Sequence, residues 1–280
     1  MSEPLLRISD LKTHFQTKGA GLFGEKKVIK AVDGVSFDIA PGEVLSLVGE
    51  SGCGKSTVGR TLTHLEKATS GTAQFEGQDF LAMAPAEFRP LRREIQMIFQ
   101  DPISSLNPRR RVADVIAEPL RVWGPHDENE QAEIVDRMLH AVGLDPEVAR
   151  DKRPHEFSGG QCQRISIARA LATGPKFVVA DECVAALDVS IQADILNLLK
   201  QLQHKLDLTF LFISHDLSVV AHVCDYVAVM YLGEIVEEGP TKQIFANPKH
   251  SYTQALLGAI PSLDPDQRSR VIRSDRNTSK

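Results

Sequence analysis

Along this chain the spacing of apolar residues switches between the period of strands and the period of helices. Leu5-Leu6-Arg7-Ile8 and Val35-Ser36-Phe37-Asp38-Ile39 place apolar beside polar residues and flank a Gly/Lys-rich stretch, Gln16 to Lys27. They predict two antiparallel strands at one edge of a sheet. Val44 to Val48 is a continuous apolar run, the pattern of a strand buried on both faces. Behind it, Val58, Leu62 and Leu65 fall at i, i+4 and i+7 and predict a helix packed on that sheet.

The second half repeats the arrangement. Phe177–Ala180 and Phe210–Ile213 are two further buried-strand runs, and Ile195, Leu198, Leu199, Leu202 and Leu206 mark one face of a long helix between them. Strand, helix, strand in this order implies a parallel sheet with right-handed crossovers. From about Pro102 to Thr173 the pattern is helical, with Ile134, Met138 and Ala141 on one face and Gly143 as a C-terminal stop. The expected organisation is one domain. Residues 1–101 and 174–235 form an α/β core with an N-terminal β part, and 102–173 a helical insertion. Residues 236–263 form a C-terminal helical segment and 264–280 a polar, mobile tail.

The first sign of chemistry lies just after the buried run at Val44–Val48. Gly49-Glu50-Ser51-Gly52-Cys53-Gly54-Lys55-Ser56, followed by Thr57, fits G-x-x-x-x-G-K-[ST] between a strand and an amphipathic helix. Glycines let the backbone wrap so that successive N–H groups face phosphate oxygens, and the helix start adds partial positive charge. Lys55 can reach the β- and γ-phosphates, and the Ser56 hydroxyl can ligate Mg²⁺. A chance match in a chain of this length has odds of roughly one in a hundred at ordinary residue frequencies. The motif marks a nucleotide site in a P-loop NTPase fold. Cys53 lies inside the loop near a helix start, which predicts a lowered thiol pKa and shielding by bound ATP.

Two further groups end strands. Asp181-Glu182 follows Phe177–Ala180, so Asp181 suits the Mg²⁺ environment, and Glu182, pointing elsewhere, suits the base that polarises the attacking water. His215 follows Phe210–Ile213 and Ser214 at the edge where parallel sheets bind ligands. It suits a γ-phosphate contact and an orienter of that water. Against these readings stand an ordinary acidic turn and an ordinary loop histidine.

Composition narrows the partners. The 280 residues are 42% hydrophobic and 25% charged, as in a globular protein with a sizeable core, and the net charge is −5. That charge argues against a nucleic-acid partner bound through a broad basic face. The four cysteines, Cys53, Cys162, Cys183 and Cys224, are widely spaced without a CxxC pair, which predicts reduced thiols rather than disulfides or zinc. No stretch approaches the ~20 apolar residues of a membrane helix, and the opening MSEPLLRISD lacks the form of a secretory signal, so a cytosolic protein is expected.

Phe157-Ser158-Gly159-Gly160-Gln161 precedes a helix bearing Ile165, Ala168 and Ala172. Its place after Gln100 and before Asp181-Glu182, Ala186-Leu187-Asp188 and His215 resembles the signature of ATP-binding-cassette (ABC) ATPases over about residues 5–260. The resemblance implies a RecA-like parallel-sheet core with an antiparallel β edge subdomain and an inserted α-helical subdomain. Ser158, Gly159, Gly160 and Gln161 would then cradle the phosphates of ATP held by a second chain. Gln100 would sense Mg²⁺ and γ-phosphate, Asp188 would cross the dimer seam, and Phe15 would stack on adenine.

Phe99-Gln100-Asp101-Pro102, Ser104 to Arg109 and His250-Ser251-Tyr252-Thr253-Gln254-Ala255-Leu256 are similar to the ATPase subunits of dipeptide, oligopeptide and nickel importers. The chain departs from that pattern at Ser251, Cys183, Ala185 and Cys162, where proline, proline, serine and arginine are usual. None of these removes a charge from the catalytic set. The resemblance implies permease subunits and a second, identical or different, ATPase subunit as partners, and a periplasmic solute-binding protein indirectly. It places the chain at the cytoplasmic face of the inner membrane. The cysteine-rich extension of many relatives is not in the sequence, so no iron–sulfur cluster is expected. A soluble ABC ATPase, such as a subunit of a phosphonate-degrading assembly, is the alternative. A generic P-loop kinase or GTPase leaves Ser158–Gln161 unexplained.

Overall fold

The computed structural model describes residues 3–17, 27–123 and 127–259. The expected loop from Gln16 to Lys27 falls largely outside them, as does the expected tail from residue 264. Ten strands are present: β1 (Leu6–Thr17), β2 (Lys27–Ile39), β3 (Val44–Val48), β4 (Ser70–Phe75), β5 (Gln78–Asp79), β6 (Ile95–Ile98), β7 (Phe177–Asp181), β8 (Thr209–Ser214), β9 (Tyr226–Tyr231) and β10 (Glu234–Pro240). The helices are α1 (Lys55–Leu62), α2 (Pro85–Phe88), α3 (Pro102–Ser105), α4 (Val112–Trp123), α5 (Glu128–Ala141), α6 (Pro146–Ala149), α7 (Gly159–Leu171), α8 (Val189–Leu206), α9 (Leu217–Val223), α10 (Thr241–Ala246) and α11 (Ser251–Gly258).

The strands form two sheets rather than one. β1 and β2 pair antiparallel, as expected, but with β4 and β5 they make a separate sheet of order β2-β1-β4-β5. The second sheet runs β10-β9-β3-β8-β7-β6 and is parallel except for its last pair, β9 and β10. The even-odd rule of strands divides the core cleanly. Leu45, Leu47, Phe177, Val179, Leu211 and Ile213 face the first sheet and α1, whereas Val44, Val48, Val178, Ala180, Phe210 and Phe212 face the helices behind. A strand buried on both faces therefore serves two cores, which is why its sequence reads as unbroken apolar residues.

Two helix readings need correction. α1 ends at Leu62, and Leu65, the third member of the predicted stripe, is half exposed beyond it. In α8, Ile195, Leu198, Leu199 and Leu202 are buried, but Leu206 at the helix end is not. Tertiary packing stops before the sequence period does. α5 ends with Val142 at its cap and Gly143 in the left-handed region beyond (φ 73°), the conformation glycine adopts without a side-chain penalty. Among the described residues, 102–173 hold helices only, joined by α4–α7 and α5–α7 packing. The segment after residue 235 is not all helical: β10 runs to Pro240 before α10 and α11. No helix among the described residues is long and apolar enough to cross a membrane.

Candidate nucleotide site

Strand order does most of the assembly. β3, β8, β7 and β6 are consecutive neighbours and run parallel, so their C-terminal ends share one edge of the sheet. The phosphate loop leaves β3, His215 follows β8, Asp181 and Glu182 end β7, and Gln100 lies two residues past β6. Residues scattered over 160 positions become neighbours because parallel strands present the same end together.

In the loop, Gly49 is buried, Glu50, Ser51 and Gly52 are exposed, and Cys53 is buried. Gly54 adopts φ 112°, and a Cβ there would lie 2.0 Å from the Ala31 carbonyl oxygen, so no other residue fits. Lys55 is 3% exposed, and its Nζ donates to the carbonyls of Gly49 at 2.8 Å and Glu50 at 2.9 Å. The ammonium is thus held at the mouth of the loop by neutral acceptors that an anion can replace. Ser56 Oγ donates to Asp181 Oδ1 at 2.7 Å. Thr57 follows in the first turn of α1, its carbonyl accepting from the Thr61 hydroxyl at 2.7 Å.

Asp181 is 2% exposed, and burial raises its pKa, opposed by the Ser56 hydrogen bond and by Arg60 and Lys55. Glu182 turns away, its backbone at φ 45°, a strained setting for a residue with a side chain. Gln100 Nε2 donates to Glu182 Oε2 at 2.8 Å, and His215 Nδ1 lies 3.2 Å from Oε1. The two residues grip both oxygens of one carboxylate. Phe15 pairs with Ile29 across β1 and β2, and both are exposed together with Val28. Ala31, whose carbonyl oxygen lies against Gly54, is two residues along β2 from Ile29, the partner of Phe15.

The expected lowering of the Cys53 thiol is not found. Burial pushes that thiol up, and Lys55 opposes only part of the effect. The loop folds the cysteine inward, so desolvation outweighs its helix-start position. Cys183 and Cys224 are pushed up to about 12 by burial, and Cys162 is raised for the same reason.

Ser158, Gly159, Gly160 and Gln161 begin α7. Ser158 accepts the Gln161 N–H at 3.4 Å, and Gln161 Oε1 accepts the Ser158 N–H at 3.0 Å. A Cβ on Gly160 would meet Ile191 Cγ2 at 2.6 Å, so α8 packs directly on the glycine. Asp188 caps α8 by position but spends no side-chain bond on it, and its carboxylate is exposed. No hydrogen bond among the described residues joins 158–161 to the phosphate loop. One contact was invisible in the sequence: the Tyr252 hydroxyl, on α11, accepts the Glu50 N–H at 3.0 Å. Only the run His250–Leu256 hinted that this stretch matters.

The family "ABC transporter" matches residues 32–185, and "Oligopeptide/dipeptide transporter, C-terminal region" matches residues 236–279. The chain belongs to the ABC transporter family.

Among its relatives, the Escherichia coli oligopeptide transport ATP-binding protein OppF is 52% identical over 96% of this chain and 81% of its own length. The E. coli dipeptide transport ATP-binding protein DppF is 50% identical over 98% and 81%. The glutathione import ATP-binding protein GsiA of Pectobacterium atrosepticum is 51% identical over 96% of this chain, which spans 43% of it. In structure, the chain resembles the dimeric ATP-binding cassette MJ0796 bound to ADP and Pi, with TM-score 0.74 and 27% identity over 84% of this chain and 98% of that one. It also resembles cbiO1 of Clostridium perfringens, with TM-score 0.75 and 29% identity over 88% and 92%. As a member of this ABC family the protein is an ATPase.

Proposed function

We propose that this ABC ATPase powers the uptake of peptides, or of a related solute such as nickel, through a membrane importer. The observation that carries the reading is the pairing of a complete hydrolytic edge with a C-terminal segment of the oligopeptide/dipeptide transporter type. That segment favours transport over a soluble, non-transport ABC ATPase.

ATP binds with its triphosphate on Gly49–Thr57, where loop amides and Lys55 face the phosphates, and with its adenine on Phe15. Glu182 takes the proton of the attacking water. Gln100 and His215 fix the carboxylate so that a remaining lone pair can accept the proton of the attacking water. Among the described residues the buried Asp181 carboxylate takes its one direct hydrogen bond from a hydroxyl, a setting that suits a hard cation. Ser56, Asp181 and Gln100 would hold Mg²⁺, which offsets phosphate charge when bound.

Ser158–Gln161 and Asp188 serve the ATP of a second cassette chain, identical or different. The helical part, 102–173, receives the permease subunits beside Gln100 at the cytoplasmic face of the inner membrane. The periplasmic solute-binding protein acts on those permeases, and no nucleic acid takes part. The test is reconstitution with candidate permeases in vesicles: ATP-driven peptide uptake that Glu182→Gln abolishes supports the reading. ATPase activity with no uptake of any peptide or metal ion overturns it.

A further inference from the structure

Hydrolysis makes no use of Tyr252, yet its hydroxyl sits on the phosphate loop, 202 residues away in sequence. The Glu50 N–H that it accepts belongs to the same peptide unit as the Gly49 carbonyl, and that carbonyl accepts from Lys55 Nζ. One rigid plane therefore carries Tyr252 on one side and the phosphate-binding lysine on the other. Little else could hold this plane on the Tyr252 side, since Glu50 itself is exposed.

The tyrosine is itself held in place. Its ring packs on Tyr231, at the end of β9, with centroids 4.3 Å apart. Its own N–H bonds to His250 Nδ1 at 3.2 Å, capping α11. Glu237 on β10 accepts the N–H groups of Lys249 and His250 at 2.8 and 2.9 Å, which ties the start of that helix to the sheet. A Cβ at Gly49 would lie 2.2 Å from the carbonyl oxygen of Met230, which precedes Tyr231 on β9, so the plane has no room to slide. Burial pushes the Tyr252 phenol up, so it remains a neutral hydroxyl able to accept.

We propose that Tyr252 is a positioning residue for nucleotide binding, fixing the Gly49–Glu50 peptide plane from which Lys55 moves to the triphosphate. On binding, Lys55 exchanges carbonyl partners for phosphate oxygens. A loop whose plane is already set loses less freedom in that exchange than one that must be ordered by the ligand. Tyr252 touches neither Glu182, Gln100 nor His215, so it acts on affinity and leaves the chemical step alone.

The proposal rests on Gly49–Thr57 as the triphosphate loop, and the experiment separates the two. Tyr252→Phe keeps the ring and removes the acceptor. In the full-length chain it should raise Kd and KM for Mg-ATP about fivefold, the scale of one lost hydrogen bond, with kcat unchanged. Native affinity and KM in the variant, or a fall in kcat at constant KM, overturn the proposal. Failure of Lys55→Ala to weaken Mg-ATP binding overturns the loop assignment instead. Hydrogen exchange on the native chain gives a second test that needs no variant. Although Glu50 is an exposed residue, its amide should exchange more slowly than an unprotected peptide, and exchange at the unprotected rate refutes the contact.

Discussion

Two helices of this protein begin at glycine-bearing loops, and their first turns are finished differently. Before α1, Gly54 takes a positive φ, Lys55 lies folded on two carbonyls, and the Ser56 hydroxyl is spent on Asp181. Before α7, Ser158 and Gln161 close on each other, and Gly160 serves as a seat for Ile191. The first loop is strained and carries a buried cation, so it is prepared for an anion within its own chain. The second is an ordinary capped helix start, unstrained, with no cation of its own. Its cap satisfies two backbone donors, those of Ser158 and Gln161, and leaves others of the first turn for a ligand. The difference fits the proposal that the starts of α1 and α7 meet one triphosphate only when two chains come together.

Glu182→Gln removes the base beside the first loop and should slow turnover by roughly 10²–10⁴ while ATP affinity holds and ATP-bound dimers accumulate. Measured turnover at the native rate would take Glu182 out of that role. Lys55→Ala should weaken ATP binding by roughly 10²–10³, the loss of charged contacts to phosphate, as read by equilibrium binding. Ser158→Ala should cost about 1 kcal/mol of stability through the lost cap and cut turnover on the order of 10²-fold. The ATP affinity of the single chain should stay native. If affinity falls as it does for Lys55→Ala, both loops serve one pocket within one chain and the contrast fails.

Smaller effects sharpen the picture of the first loop. Burial raises the Asp181 pKa above 3.8, so its ionised form opposes folding in the absence of a cation. The folding contribution of this group is full below 3.8 and is lost as pH rises through its folded value. Asp181→Asn should therefore raise Tm at pH 7, with the gain vanishing toward acid pH, while turnover falls. A variant with lower Tm at pH 7 would mean that the Ser56 contact matters more than the buried charge. At Cys53, iodoacetamide labelling should be slow at pH 7, quicken as pH rises, and slow further with Mg-ATP. Rapid labelling at pH 7 would show that Lys55 outweighs burial.

Much of this site was legible one strand at a time. Val44–Val48 and Phe177–Ala180 are apolar without interruption because each faces two cores, and that pattern survives in a bare sequence. The polar residues directly after them are then marked as edge residues. β6 and β10 gave no such signal, although β9, with Val227 to Met230 buried, carries it as plainly as β3 does. Ile95–Ile98 contains Gln96, and β10 is largely polar because it lies at the sheet edge. Val28 and Ile29 are both apolar and exposed near Phe15, and the pair breaks the alternation of β2.

The sequence by itself determined the glycine-rich loop at 49–57, the acids and histidine at strand ends, and the helical character of residues 102–173, because each is written in a local run of residue types. Tertiary structure alone decided that β1 and β2 leave the main sheet, that Glu182 is gripped by Gln100 and His215, that Cys53 is desolvated, and that Tyr252 rests on the loop. Those facts depend on strand order and on contacts between segments up to 202 residues apart, and no local pattern encodes such distances.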